Sequence, residues 1–131
     1  MSKMVFEFDR EENSVAMLNE MLANLQLSDL HVDDIDGYMA TTTQYENGKP
    51  ASTSHRYGFD RVELTCERDE DEALSTWQVE TQVIVGGARM DGSAFSNDWR
   101  AKHPDRLMRY MTMITYNSGD AAFVVFHEAR K

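Results

Sequence analysis

Alternation of apolar and polar residues is clearest between Arg61 and Val85. In the first of two runs Val62, Leu64 and Cys66 fall on one face, with Glu63, Thr65 and Glu67 on the other. In the second, Trp77, Val79, Thr81, Val83 and Val85 share a face opposite Gln78, Glu80 and Gln82. Side chains along a strand point alternately to the two sides of a sheet, so a period of two marks strands with one buried face. The pair reads as an antiparallel hairpin closed by the acidic turn around Asp69–Glu72.

The same reading extends along the chain. Met4–Phe8 is a short apolar strand. Asp9 and Glu12 have capping-box spacing, and Val15, Leu18, Met21, Leu22 and Leu25 repeat at helical spacing, which predicts a helix over about residues 10–27. An acidic loop follows over residues 32–37. Tyr38–Tyr45 and Ser52–Phe59 then flank Asn47-Gly48, a two-residue hairpin signal, with a polar tip directed at solvent and Pro50 leaving the return strand ragged. Residues 93–102 predict a short helix anchored by Phe95 and Trp99 and ended at His103-Pro104. Leu107–Asn117 and Ala121–Glu128 form a last hairpin, although RLMRYMTM also fits a helix. Phe123, Val125 and His127 alternate with Val124, Phe126 and Glu128, so that strand is apolar on both faces and belongs in the middle of a sheet or in an interface.

These elements predict one α+β domain over residues 1–131. It would be a mainly antiparallel, meandering sheet of about six strands packed against one long N-terminal amphipathic helix, with a second short helix near 93–102. The order of elements resembles cystatin-like layouts, in which a curved sheet wraps a helix. The likeness is one of fold and carries no function.

Charge changes the picture more than composition does. The chain of 131 residues carries a formal net charge of −10. Residues 1–36 contribute −7 and residues 60–72 contribute −5, whereas 89–131 contribute +2. An acidic surface repels phosphate backbones and attracts basic proteins, so direct nucleic-acid binding is disfavoured. No apolar run approaches the roughly 20 residues that span a bilayer. The opening residues lack the apolar core of a signal peptide, which points to a cytoplasmic protein without a membrane partner.

Candidate chemistry is sparse. Asp34, Asp36 and Gly37 match the third, fifth and sixth places of a calcium loop, but Val32 and Thr43 stand at the first and twelfth, where acids are needed. His31, His55, His103 and His127 lack the close pairing of zinc ligands, and the lone Cys66 lies on a core face. No nucleophile elbow or phosphate loop is present. No catalytic residue, metal or cofactor is therefore expected, and the chain reads as a non-enzyme.

Two charged features remain. The first is an acidic partner-binding surface from Asp29, Asp33, Asp34, Asp36, Asp69, Glu70, Asp71 and Glu72, extended by the acids of Glu7–Glu12. The second is Trp99, Arg100, Lys102, Arg106 and Arg109, an anion-binding or self-association patch that would serve a homodimer. The leading expectation is an inhibitor, immunity-type or nucleic-acid-mimicking binder. It would occlude a basic site on a nuclease, toxin or nucleic-acid-binding machine. The alternative is a cystatin-like or nuclear-transport-factor-2-like domain with a small-molecule pocket lined by Tyr38, Trp77, Tyr116 and His127. A structural assembly subunit is the third reading.

Overall fold

A computed structural model describes residues 2–68, 75–86 and 91–130. The elements are β1 (Ser2–Glu7), α1 (Ser14–Ala23), β2 (Leu27–Glu46), β3 (Lys49–Arg68), β4 (Gln78–Ile84), α2 (Gly92–Lys102), β5 (Arg106–Thr115) and β6 (Ala121–Ala129). They form two antiparallel three-stranded sheets: sheet A in the order β1-β3-β2 and sheet B in the order β4-β6-β5. The α+β class and the antiparallel pairing agree with the sequence reading. Among the described residues, no helix is long and apolar enough to cross a membrane.

The two alternating runs between Arg61 and Val85 do form strands, but not a hairpin. β3 is flanked by β1 and β2, while β4 pairs with β6. Alternation tells which face is buried and leaves the partner open. The expected acidic turn at Asp69–Glu72 lies outside the described residues.

The N-terminal helix is also shorter than its apolar stripe suggests. Asp9 and Arg10 take left-handed φ values of 47° and 58°, which turn the chain after Phe8 and put the capping box out of use. Phe8 N–H still bonds to the Asp60 carbonyl at 2.9 Å, so sheet pairing outcompetes helix at this end. Asn13 caps α1 without a side-chain bond, and Asn24 ends it. Leu25 and Leu27 belong to the descent into β2, where Leu27 pairs opposite Arg68.

β2 replaces the expected acidic loop. It stays paired with β3 through register shifts between Ser28 and His31, Val32 and Asp34, and Asp36 and Gly37. Each irregularity slips the alternation, so Leu27, Leu30 and Val32 remain buried although their spacing is not two throughout. Past Gly37, β2 and β3 continue as a two-stranded ribbon to a turn at Asn47 (φ 53°) and Gly48 (φ 77°), a pair of left-handed residues that suits a tight hairpin. The tip is exposed, and a register shift falls opposite Pro50, as the sequence predicts.

The core joins both sheets to α1 through Phe8, Leu18, Leu22, Phe59, Val62, Leu64, Trp77, Val79, Val124 and Phe126. β6 is buried from Ala121 to His127 because both of its faces are covered. Ala122, Val124 and Phe126 face the core. On the other side α2 lies across the strand, with Phe95 stacked on Phe123 at 4.4 Å and Trp99 tilted on His127 at 5.0 Å. The short second helix and the last hairpin are thus confirmed, and RLMRYMTM is strand.

Candidate functional site

The outward face of sheet A collects Asp33, Asp34 and Asp36, three of the acids that sequence reading singled out, together with Glu7. β3 turns Val62, Leu64 and Cys66 inward, each fully buried, so Arg61, Glu63, Thr65 and Glu67 point out. β1 adds Lys3, Val5 and Glu7 through its pairing with Thr65, Glu63 and Arg61. β2 adds His31 opposite Thr65, Asp34 opposite Glu63 and Asp36 opposite Arg61. Asp33 joins them by accepting a hydrogen bond from the Thr65 hydroxyl at 2.5 Å. Glu7, Asp33, Asp34, Asp36, Glu63 and Glu67 therefore share a face with Lys3 and Arg61, leaving four uncompensated negative charges on three strands.

Arg61 sits at the centre. Its guanidinium bonds to Glu63 and lies 3.8 Å from Asp34 and 3.9 Å from Glu7, while Lys3 approaches Glu63 at 3.4 Å. The Glu63 side chain is only 14% exposed. The Arg61 guanidinium holds its carboxyl below the usual range and outweighs the opposing effect of burial. Around this neutralised centre, the rim acids Glu7 and Asp34 keep 69% and 53% of their side chains exposed. Strands ~4.8 Å apart and a side-chain repeat of ~6.6 Å along each strand set the carboxylate spacing. That lattice of negative charge can receive several Lys or Arg side chains at once.

Asp29 is exposed in the first irregularity of β2, at a left-handed φ of 49°. Sequence reading missed the contributions of Glu63 and Glu67 to this surface, although their alternation with Val62, Leu64 and Cys66 already put them on the polar side.

The basic stretch is less open than its sequence suggests. Trp99 is 4% exposed, stacks on His103 at 4.4 Å and donates its indole N–H to Glu80. Arg106 donates to His127 Nδ1 at 3.0 Å and to the Thr76 carbonyl at 2.5 Å. Arg109 pairs with Glu128 and Lys102 with Asp98, and Arg100 is exposed. These contacts fasten α2 to sheet B and tie β5 to β6, and they use most of the cationic groups internally. Burial pushes the His127 imidazole below its ordinary pKa, against the attraction of Glu80, so it acts as a neutral acceptor for Arg106.

Of the four residues expected to line a ligand pocket, Tyr38 and Tyr116 border a cleft of about 170 Å³ with Arg10, Gly37, Met39, Asp60, Thr115 and Asn117. Trp77 and His127 do not line it and are packed in the interior. The cleft has room for a handful of waters at ~30 Å³ each and is smaller than the ~300–1,000 Å³ of usual ligand pockets. Among the described residues, no group of three or more His, Cys, Asp or Glu side chains is placed to hold a metal ion. No protein-family model, curated protein or solved structure matches this chain.

Proposed function

We propose that this protein is a non-enzymatic binder that presents the outward face of sheet A to a basic partner. The partner class is a nuclease, toxin or nucleic-acid-binding protein whose cationic site the face would occlude. The observation that supports this reading is the gathering of six carboxylates against two cations on one three-stranded face, centred on Arg61. Such a face accelerates encounter with a cationic partner and fixes its register, and its effect falls as salt rises.

The test compares the wild-type chain with the triple variant Asp33→Lys, Asp36→Lys, Glu67→Lys as bait in host lysate at low and moderate salt. The altered side chains are exposed, so the fold is retained. The expected result is one dominant basic protein on the wild-type bait, lost as salt rises. Its affinity, measured with purified partner, falls more than tenfold on the variant. A dominant partner held equally by both baits would rule out this face.

A further inference from the structure

The free edge of β2 changes character along its length. Between Leu27 and Gly37 it is interrupted by three register shifts and lined by Asp29, Asp33, Asp34 and Asp36. Charges and bulges are how sheet edges avoid pairing with other chains. Beyond Gly37 these guards stop. Ala40-Thr-Thr-Thr-Gln-Tyr45 has no charge and no proline, and its register with β3 runs without a shift from Gly37 to Gln44. The opposite edge of the ribbon, on β3, keeps Lys49, Pro50 and Arg56.

From Ala40 to Arg56 this part of the ribbon contains no buried residue. β1 covers β3 only from Arg61 to Cys66, and residues 44–55 are exposed, including Tyr45 at 66%. A lone two-stranded hairpin is marginal in water, and a third or fourth strand is the ordinary remedy.

We propose that the β2 edge over Ala40–Tyr45 pairs antiparallel with the same edge of a second copy. The two ribbons then form a four-stranded sheet about a two-fold axis. An antiparallel edge is its own complement under such an axis, which favours a second copy over an unrelated strand. It places threonines across from one another, as Thr43 and Thr53 already stand, hydroxyl to hydroxyl at 3.4 Å. Charge selects the same place. Ala40–Arg56 carries Lys49 and Arg56 against Glu46, so two copies with a net charge of −10 approach there with least repulsion.

The experiment is sedimentation equilibrium of the full chain from about 10 µM to about 300 µM, the range in which a small interface populates a dimer. The mass of the wild type rises from 15.0 kDa towards twice that value. The double variant Thr41→Lys, Thr43→Lys places like charges across the axis and stays at 15.0 kDa throughout. Both positions lie outside the core, and an unchanged thermal melt of the variant at low concentration checks its fold. Amide exchange of residues 40–45 in the wild type slows as concentration rises. A wild type that stays monomeric overturns the proposal, as does a variant that still dimerises.

Discussion

Tyr57 and Asp120 are 63 residues apart and meet where the two sheets join. The Tyr57 hydroxyl donates to Asp120 Oδ2, while Gly86 N–H donates to Oδ1 at 2.8 Å and Ser118 Oγ–H to Oδ2 at 3.1 Å. The hydrogen bond to Asp120 and burial push the Tyr57 phenol up to about 12. The same bond, followed by that from Gly86, holds the Asp120 carboxyl below its usual range. A raised phenol means the folded state keeps a proton that the unfolded state loses. The contribution of Tyr57 is therefore full below its ordinary value of 10.0 and vanishes as pH rises through about 12. The contribution of Asp120 is present above the ordinary carboxylate range and is lost as pH falls through its depressed value. We expect Tyr57→Phe to lower the denaturation midpoint at pH 7 and to lose less stability than the wild type on titration above pH 10. Parallel alkaline losses in the two proteins would show that Tyr57 does not couple to folding. Gly58, next in the chain, is a second sensitive point. A Cβ there would lie 2.4 Å from Ser14 Oγ, which accepts the Phe59 N–H at 2.8 Å, and 3.0 Å from the Tyr38 ring. Gly58→Ala should cost about 1–3 kcal/mol by overpacking, read by urea denaturation. Neither contact was legible in the sequence, because no pattern links residues that meet only through the packing of two sheets.

At the scale of elements, periodicity identified what was local. The Asn47-Gly48 hairpin, α2, and the β5–β6 pair each close through nearby turns, and each forms where the pattern put it. The doubly apolar β6 could be narrowed from its residues to the middle of a sheet or an interface, and it is the central strand of sheet B. The pairing of β3 with β1 and of β4 with β6 could not, since nothing in an alternating run names its partner. The first half of β2, up to Gly37, was missed because its irregularities break the very alternation that marks a strand. Asn19 shows the same limit on a helix. Its place off the apolar stripe of α1 suggests a solvent-facing residue, yet its side-chain amide donates to the Val79 carbonyl at 2.9 Å and accepts the Val79 N–H at 2.6 Å. It acts as a one-residue strand and closes the edge of β4 that β6 leaves open. Asn19→Ala would strand both groups of a residue that is 1% exposed. The expected cost is about 1–3 kcal/mol, visible as a lower urea midpoint and faster exchange of the Val79 amide. A variant as stable as the wild type would show that water replaces the amide there.

For the whole molecule, the acidity was legible and its arrangement was not. The sequence placed acids at 29–36 and 60–72, but only the pairing of three strands set Glu7, Asp34 and Asp36 beside Arg61 and Glu63. The consequence for stability follows from the ranges over which the charges act. The attractive contacts are short, at 3.4 to 3.9 Å for Lys3–Glu63, Arg61–Asp34 and Arg61–Glu7. The repulsion implied by a net charge of −10 acts across the whole surface. Raising monovalent salt from about 0.01 M to about 0.15 M shortens the screening length from about 30 Å to about 8 Å. That change removes most of the long-range repulsion while the close pairs stay inside one screening length. Exposed pairs are worth at most about 1 kcal/mol each, so their partial loss is the smaller effect. Stability should therefore rise with salt, as a melting temperature higher by a few degrees, whereas binding to a basic partner through the same face should weaken. Glu67→Lys reduces the net charge and should flatten both responses. A melting temperature that falls with salt would mean that the ion pairs around Arg61 outweigh the repulsion. The acidic face would then owe its arrangement to folding rather than to a partner.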